Sequence, residues 1–285
     1  MSKPSKVAVV GAGTMGNGIA HVFAQHGWDT VLIDVSDDAL ARGLGTIKKN
    51  LERLEKKGAI SHQQSADTLG RIKTSTSLDA AKDAEMVVEA AIENPKIKFK
   101  IFGDLGRLTA PSAILASNTS SISITELAKH TDRPGKVIGM HFMNPVPVMP
   151  LVEVVKGLDT HADTVSRVVE VAKELGKTPV EVNDAPGFVS NRVLMPMINE
   201  AILCVQEGVA TAEAVDQVMT LGMKHPLGPL ALADLIGLDV CLAILEVLQE
   251  GFGDVKYQPA RLLREMVASR RLGRKTGVGF YVYRD

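Results

Sequence analysis

Short apolar runs rich in β-branched residues recur along the chain as far as Val182 and are separated by longer segments of mixed polarity. Runs of this kind are typical of buried strands. They are Val7–Val10, Thr30–Ile33, Met86–Val88, Ile114–Ala116, Val137–Met140, Val152–Val155 and Pro179–Val182. Because the early runs alternate with segments of helical spacing, we predict a doubly wound α/β fold whose mostly parallel sheet is covered on both faces.

The segment after the second predicted strand has the spacing of an amphipathic helix. Its apolar residues recur every three or four positions and form one stripe, which consists of Leu40, Leu44, Ile47, Leu51 and Leu54. Ser36 and the aspartates Asp37 and Asp38 are typical of a helix start. A second, more polar helix is predicted before Ile72. The two helices together predict an inserted helical hairpin at about residues 36–70.

The chain changes character after Val182. Residues 183–187, Asn-Asp-Ala-Pro-Gly, have the composition of a turn. Most of the remaining chain has a helical pattern, with helices predicted at Phe188–Glu207, Ala212–Leu221, Leu230–Ile236, Leu238–Gly251 and Pro259–Arg271. We therefore predict two domains, 1–184 and 185–285, of which the second is all-α. Its apolar faces exceed what a small bundle easily encloses, so either the first domain or another subunit covers them, and we expect a homodimer.

Composition narrows the class of function. The 285 residues are 45% hydrophobic and 23% charged, which is typical of a globular protein. Lys and Arg number 32 against 33 Asp and Glu, so the net charge of −1 gives no field for a polyanion and nucleic acid is not expected as a partner. No apolar run reaches the roughly 18 residues of a membrane span, so no membrane association is expected.

The start of the chain and the cysteines bear on location. The first predicted strand begins soon after Met1, which leaves no room for a leader, so a cytoplasmic location is expected. Cys204 and Cys241 are each flanked by apolar residues, which indicates buried, reduced thiols. No residues have the spacing of metal ligands, so no metal site is expected.

A glycine-rich turn connects the first predicted strand to a helical segment. Gly11, Gly13 and Gly16 form the pattern GxGxxG. In this pattern the first glycine makes a tight turn, the second lets a pyrophosphate approach the backbone, and the third permits close packing of the helix, whose N-terminus faces the anion. Between a strand and a helix, the pattern predicts a Rossmann-type dinucleotide site, in which Thr14 and Met15 also lie at the cofactor.

Asp34 closes the second predicted strand and bears on the choice of cofactor. A carboxylate at this position accepts hydrogen bonds from the hydroxyls of the adenosine ribose. Its charge repels a 2′-phosphate, and no arginine follows it closely, so NAD is favoured over NADP. The alternative is that Asp34 only caps the next helix.

Candidate chemistry lies at two strand ends in the centre of the chain. Residues 117–121, Ser-Asn-Thr-Ser-Ser, follow one strand, and His141 ends another. Open α/β sheets bind ligands at such carboxyl ends. Glu153 lies inside a later strand, where an ionised group is costly unless it is paired. Histidine is its natural partner, because the carboxylate fixes the ring tautomer and makes His141 a competent proton acceptor near neutral pH.

Several motifs in this order resemble the 3-hydroxyacyl-CoA dehydrogenase family, in particular its short bacterial members, over essentially the whole chain. The motifs are the glycine turn 11–16, Ala-Ser-Asn-Thr-Ser-Ser at 116–121, His-Phe-Met-Asn-Pro-Val-Pro-Val-Met at 141–149, Leu-Val-Glu-Val at 151–154, Asp-Ala-Pro-Gly-Phe-Val-Ser-Asn-Arg at 184–192 and Lys-Thr-Gly-Val-Gly-Phe-Tyr at 275–281. The resemblance implies NAD-linked interconversion of a short-chain (S)-3-hydroxyacyl-CoA, such as 3-hydroxybutyryl-CoA, and the 3-oxoacyl-CoA, such as acetoacetyl-CoA.

The resemblance also implies roles for single residues at the reacting centre. His141 matches the family's catalytic base, and Glu153 matches the carboxylate that orients it. Ser120 and Asn191 match groups that hydrogen-bond the substrate near its reacting oxygen and thioester. The cofactor contacts that the resemblance implies, besides the glycine turn, are Asp34, Glu93, Lys98, Asn144 and Lys275.

The helical hairpin matches the family's CoA-binding arm, and Lys57 matches a lysine that contacts CoA. Seven residues earlier, Asn50 stands where we expect a serine from the mammalian members. Either side chain can hydrogen-bond, so CoA recognition is still implied, while that single contact is open. Without the resemblance, the basic face formed by Lys48, Lys49, Arg53, Lys56 and Lys57 is equally typical of a solvated helix surface.

Each candidate also has a purely structural interpretation. His141 can be a core histidine bonded to a backbone carbonyl, and Glu153 can be part of a structural ion pair. Ser120 can cap a helix that starts near Ile122, and Asn191 can serve the backbone at a helix start. Two rival functions remain: a dehydrogenase acting on a CoA-free hydroxy acid or sugar acid, and a non-catalytic NAD-binding protein.

Overall fold

The structure, a computed structural model, describes residues 5–283. The prediction of a missing leader concerns residues 1–4, which lie outside the described residues. The chain divides after Asp184 into two compact units. In the part of the chain that the structure describes, no helix is long and apolar enough to cross a bilayer.

The first unit contains one eight-stranded sheet. Its strands are β1 (Lys6–Val10), β2 (Asp29–Ile33), β3 (Ile72–Ser75), β4 (Met86–Glu89), β5 (Ile114–Ser117), β6 (Val137–Phe142), β7 (Leu151–Lys156) and β8 (Thr178–Asn183). Their spatial order is β3-β2-β1-β4-β5-β6-β7-β8, and neighbours run parallel except for the antiparallel pair β6 and β7. The predicted doubly wound Rossmann fold is confirmed.

The described part of this unit, residues 5–184, contains six α-helices. They are α1 (Thr14–Gln25), α2 (Asp37–Lys56), α3 (His62–Gly70), α4 (Pro95–Leu108), α5 (Ile124–Ala128) and α6 (Ala162–Glu174). The side chains of Ser36, Ser61, Asn94 and Ser123 accept hydrogen bonds from the first turns of α2 to α5 in that order, which fixes where these helices start. The predicted hairpin is α2 and α3, held to the core by the buried Leu40, Ile47 and Leu51.

One strand was missing from the predicted set. β3 has four residues, none of them fully buried, and it lies at the edge of the sheet next to β2. An edge strand of this length carries no continuous apolar run, so periodicity alone does not reveal it. The seven predicted strands are all present, and the sheet places the carboxyl ends of β1, β4, β5 and β6 at one edge.

The second unit is helical. Its helices are α7 (Ser190–Gln206), α8 (Ala212–Gln217), α9 (Pro229–Ile236), α10 (Leu238–Phe252) and α11 (Arg261–Ala268). The predicted start of α7 at Phe188 is wrong by two residues, because Phe188 has a left-handed backbone with φ of +51°. The helix predicted to reach Leu221 changes to a π-helical turn from Val218. Cys241 is buried as predicted, whereas Cys204 is only partly buried.

Two buried aspartates hold residues 280–283 within this unit. Asp216 accepts hydrogen bonds from the backbone N–H groups of Leu230 and Ala231, both at 2.9 Å, and from the Tyr281 hydroxyl at 2.8 Å. The second aspartate, Asp234, accepts from the N–H groups of residues 280 and 281 and from the Tyr283 hydroxyl, each at 3.0 Å. Both carboxylates therefore hold backbone N–H groups and tyrosine hydroxyls in place.

Candidate functional site

The glycine turn between β1 and α1 has the shape that a dinucleotide requires. Gly11 has φ of +105°, and a Cβ there would lie 2.4 Å from the Ala90 carbonyl oxygen. A Cβ on Gly16 would lie 1.7 Å from the carbonyl oxygen of Gly11, whereas a Cβ on Gly13 would meet open space. The first and third glycines are thus required by close packing, and the second leaves the backbone accessible.

The start of α1 is suited to an anion. Among the described residues, no side chain caps the N-terminus of α1 and no acidic residue lies in its first turn. The exposed Gly13 and Thr14 are followed by Met15, which is partly buried. Since uncapped N–H groups and the helix dipole favour negative charge, the turn fits the pyrophosphate of a dinucleotide.

Asp34 joins the end of β2 to this turn. Its Oδ2 accepts a hydrogen bond from the Ala12 N–H at 2.8 Å, and its Oδ1 accepts from the Ser36 N–H at 3.1 Å. The N-cap of α2 is Ser36, whose hydroxyl oxygen accepts from the Ala39 N–H. The capping function is therefore performed by Ser36, and Asp34 places a partly buried carboxylate beside the glycine turn.

His141 and Glu153 face each other across two antiparallel strands. Residue 141 of β6 lies directly opposite residue 153 of β7 in the register of the pair. The imidazole Nδ1 lies 2.8 Å from Glu153 Oε2, and the two residues are 7% and 3% exposed. The strand register thus brings together the acid and the base that the sequence pattern paired.

This pair lies at the edge of the sheet where the other candidates lie. His141 is the penultimate residue of β6, whose carboxyl end adjoins that of β5. The Asn118 side-chain oxygen, just after β5, accepts a hydrogen bond from the Phe142 N–H at 2.9 Å. This contact ties the histidine strand to the serine-rich turn after β5.

Glu93 and Lys98 meet at the same turn. Glu93 Oε2 lies 3.3 Å from Lys98 Nζ, and its Oε1 accepts hydrogen bonds from the Ser120 N–H at 3.2 Å, the Ser121 hydroxyl at 2.7 Å and the Thr119 hydroxyl. Burial opposes ionisation of this carboxyl, but the Lys98 ammonium and the two hydroxyls outweigh it and hold the pKa of Glu93 below its usual value.

Glu89, at the end of β4, is a further charged residue of this region that sequence reasoning missed. It is fully buried and lies 2.6 Å from the ammonium of Lys98, which is 1% exposed. The sequence does contain a signal for Glu89, because this glutamate directly follows the apolar run Met86–Val88, just as Glu153 lies inside another apolar run. An ionisable residue that continues a buried strand demands a partner.

The alternative that Ser120 caps a helix is not supported by the structure. The N-cap of α5 is Ser123, whose hydroxyl oxygen accepts from the Glu126 N–H. Ser120 instead lies partly buried in the turn that Glu93 holds.

Two family models together match the described chain. Residues 6–185 match the NAD binding domain of 3-hydroxyacyl-CoA dehydrogenase, and residues 187–283 match its C-terminal domain. The chain belongs to the 3-hydroxyacyl-CoA dehydrogenase family. The predicted family, the enzyme class and NAD as the cofactor are thereby confirmed.

Individual relatives cover nearly the full length. A probable 3-hydroxybutyryl-CoA dehydrogenase of Deinococcus radiodurans is 56% identical over 98% of this chain and 100% of its own. The 3-hydroxybutyryl-CoA dehydrogenase of Bradyrhizobium diazoefficiens is 51% identical over 98% of this chain and 95% of its own. The crystal structure of (S)-3-hydroxybutyryl-CoA dehydrogenase from Ralstonia eutropha superposes with a TM-score of 0.96 at 52% identity, covering 99% of this chain and 100% of that one.

Other residues implied by the family resemblance lie further along the first unit. Asn144 is exposed just beyond β6. Asn50 lies partly buried on α2, and Lys57 is exposed at the C-cap of that helix. The arm therefore presents a lysine to solvent, as contact with a CoA phosphate requires.

Two more family residues belong to the helical unit. Asn191 is buried in the first turn of α7. Lys275 lies in a 3₁₀ turn, Arg274–Thr276, and its ammonium pairs with the carboxylate of Asp239. Within residues 5–283, no group of three or more His, Cys, Asp or Glu side chains is arranged to hold a metal ion.

Proposed function

We propose that this chain interconverts a short-chain (S)-3-hydroxyacyl-CoA, represented by 3-hydroxybutyryl-CoA, and the corresponding 3-oxoacyl-CoA, acetoacetyl-CoA, with NAD. The observation that carries the proposal is the buried His141–Glu153 pair, at 2.8 Å, on the sheet edge that also carries the glycine turn. Family membership supplies the substrate class, and the pair supplies the proton chemistry.

His141 moves the proton. NAD, when bound, supplies the hydride acceptor for C3 of the hydroxyacyl group. Since Glu153 lies at Nδ1, the nitrogen that exchanges a proton with the substrate hydroxyl is Nε2. Glu153 fixes this tautomer and stabilises the imidazolium that forms on oxidation. In reduction, the same imidazolium protonates the new alkoxide, and a general acid or base of this kind contributes about 10²–10⁴-fold in rate.

Ser120 and Asn191 are proposed to donate hydrogen bonds to the oxygens of the acyl group, on the strength of the family resemblance. Donors aimed at an oxygen that gains charge in the transition state contribute roughly 2.7–4 kcal/mol each. For Ser120, the Glu93 carboxylate supports this role because it holds the Ser120 backbone N–H and the hydroxyls on both sides.

The glycine turn and Asp34 are proposed to hold the pyrophosphate and the adenosine ribose of NAD. Glu93, Lys98 and Asn144 are proposed to line the nicotinamide side of the cofactor site, and Lys275 is proposed as a further contact with NAD. Lys57 and Asn50, on the helical arm, are proposed to contact CoA. The predicted cytoplasmic location stays a prediction.

The helical unit is proposed to form the dimer interface and to complete the substrate cleft. Several of its apolar side chains are exposed, among them Val193, Val209, Leu221 and Met223. A partner subunit would cover such side chains if they form one patch, and their exposure supports the proposal on that condition. Light scattering of the purified protein tests this, and a mass equal to one chain would refute the dimer.

The direct test of the reaction follows NADH absorbance during reduction of acetoacetyl-CoA. We expect turnover with acetoacetyl-CoA and NADH, slower turnover with NADPH because of the Asp34 charge, and loss of turnover with free acetoacetate. An acyl-chain series then defines chain-length preference. Absence of turnover with acetoacetyl-CoA, or equal rates with the CoA-free acid, would reject the proposal.

The role of the arm is tested by two exposed lysines of similar setting. Replacement of Lys57 by Ala should raise KM for acetoacetyl-CoA by about tenfold, because a hydrogen bond to a charged group is worth about 1.5 kcal/mol. Lys48→Ala, on the same helix, is the matched control and should leave KM unchanged. Equal values for both variants would favour the CoA-free rival.

A further inference from the structure

Glu89 lies beneath the serine-rich turn and is satisfied on both carboxylate oxygens. Its Oε1 accepts hydrogen bonds from the Ala91 N–H at 2.7 Å and from Lys98 Nζ at 2.6 Å, and its Oε2 accepts from the Ser117 hydroxyl at 2.6 Å. The glutamate is fully buried and Lys98 is 1% exposed. Buried charges are stable only in such a complete arrangement, so the contacts define one geometry.

Two routes lead from Glu89 to Ser120. Along the first, Glu89 holds Lys98, whose Nζ lies 3.3 Å from Glu93, and Glu93 accepts from the Ser120 N–H. Along the second, the Ser117 hydroxyl donates to Glu89 and its oxygen accepts from the Thr119 N–H at 3.1 Å. The turn that carries Ser120 is therefore supported from both sides by one carboxylate.

The distances show how the charges are shared. Lys98 is closer to Glu89, at 2.6 Å, than to Glu93, at 3.3 Å. Glu93 is thus left to accept the three hydrogen bonds of the turn with its Oε1. Without the charge of Glu89, the ammonium would turn towards the partly exposed Glu93, and attraction between the two charges would pull that carboxylate off the turn.

We propose that Glu89 is a positioning residue for the dehydrogenase reaction: by holding Lys98 and Ser117, it fixes the turn from which Ser120 meets the substrate. The proposal rests on the proposed function, in which Ser120 touches the acyl group. Glu89 is proposed to act through Lys98 and Ser117 and not by contact with substrate or cofactor.

The test is a double-mutant cycle on the intact enzyme, with acetoacetyl-CoA and NADH. Glu89→Gln should lower kcat by about ten- to a hundredfold, since a shift of about 1 Å at a reacting group has an effect of this size. In an S120A background, Glu89→Gln should lower kcat by less than about threefold, because the Ser120 side chain that Glu89 positions is already absent. A purely structural role for Glu89, or a role exerted on NAD through Lys98 and Glu93, would lower kcat equally in both backgrounds.

Control variants separate the effect from loss of folding. Ser117→Ala keeps the pair of Glu89 and Lys98 but removes the second route, so it should give a smaller loss of kcat that is again absent in S120A. Thr164→Val removes another buried hydroxyl, which donates to the Gly135 carbonyl at 2.8 Å, and should change Tm without changing kcat. If Glu89→Gln fails to fold, the double-mutant cycle of Ser117→Ala with S120A tests the proposal in its place.

The outcomes are distinguishable. A parent enzyme without turnover overturns the proposed function and this role with it. An active parent together with an equally active Glu89→Gln variant overturns only the role of Glu89. Equal losses in the parent and S120A backgrounds, or an S120A variant as active as the parent, also overturn it, because Glu89 is proposed to act through Ser120.

Discussion

In the α/β unit the buried carboxylates of Glu89 and Glu153 face side chains that carry or can gain a positive charge, Lys98 and His141. In the helical unit the buried carboxylate of Asp216 faces backbone N–H groups and a tyrosine hydroxyl instead. Burial and hydrogen-bond distances are similar in the two regions, so neither quantity separates them. The partners do.

The difference has a physical meaning. A backbone amide cannot take up or release a proton at neutral pH, so a carboxylate whose partners are only such groups and a tyrosine hydroxyl takes no part in a proton transfer at that pH. An imidazole can take up and release a proton, so a carboxylate beside it can act on a proton transfer. Substitutions at the histidine pair should therefore change turnover most, and substitutions at the aspartates of the helical unit should change stability most.

His141→Gln should show the largest effect. Without an imidazole at this position the proton has no acceptor, and kcat should fall by about 10²–10⁴-fold. The measurement is steady-state reduction of acetoacetyl-CoA by NADH. His62→Gln is the control, because the His62 side chain is 91% exposed and should not change kcat. A His141→Gln variant with the parent's kcat would place the proton chemistry elsewhere.

Glu153→Gln keeps the shape of the pair and removes its charge. The amide no longer stabilises an imidazolium, so kcat should fall by about a hundredfold, towards the lower end of the contribution of a general base. The change in Tm should be small compared with the fall in kcat. If Tm collapsed while the kcat of the folded protein stayed normal, Glu153 would resemble the aspartates of the helical unit.

Asp216→Asn should give the reverse result. One amide N–H₂ would face groups that also donate, and leaving such a buried donor unpaired costs about 1–3 kcal/mol of unfolding free energy. Urea unfolding measures this loss, and kcat should stay near that of the parent. A variant with parental stability and a much lower kcat would remove the distinction between the two regions.

His21 sharpens the comparison because it is a buried histidine in a different setting from His141. Burial, together with the nearby positive charges of His26 and Lys177, lowers the pKa of His21 to about 4. The unfolded chain, with an ordinary histidine pKa near 6.5, then takes up the proton first as pH falls. The contribution of His21 to the free energy of unfolding is therefore at its maximum above about pH 6.5 and is lost between that value and about pH 4.

The loss attributable to His21 should be about 1 kcal/mol between pH 7.5 and 5.5. His21→Leu cannot titrate, so this part of the pH dependence of urea unfolding should vanish in the variant. The exposed His62→Gln again serves as the control and should keep the parent's pH dependence. An identical pH dependence in His21→Leu would show that this histidine does not contribute.

The sequence predicted the fold and the central pair for identifiable reasons. Continuous apolar runs predicted seven strands, and the glutamate inside one of them predicted a partner for His141. The resemblance to the family then supplied Lys98 and Glu93, which carry no pattern of their own. Glu89 was missed because the predicted strand was ended at Val88, although the same reasoning that selected Glu153 applies to it.

Other features depend on information that a linear pattern does not contain. Asn118 acts through a hydrogen bond to Phe142, 24 residues away, and such a contact appears only when two strands are placed side by side. The edge strand β3 has too few buried residues to give a signal. The π-helical turn Val218–Gly222 after α8 contains no buried residue, so the apolar spacing that predicted a longer regular helix does not reveal it.

The antiparallel pairing of β6 and β7 makes the length of the loop between them, residues 143–150, part of the chemistry. Side chains alternate between the two faces of a strand, so a shift of one residue would turn Glu153 away from His141 and bring Val152 or Val154 opposite it. If an insertion or deletion of a single loop residue shifted the register of β7 against β6, it would therefore disable proton transfer without altering His141 or Glu153.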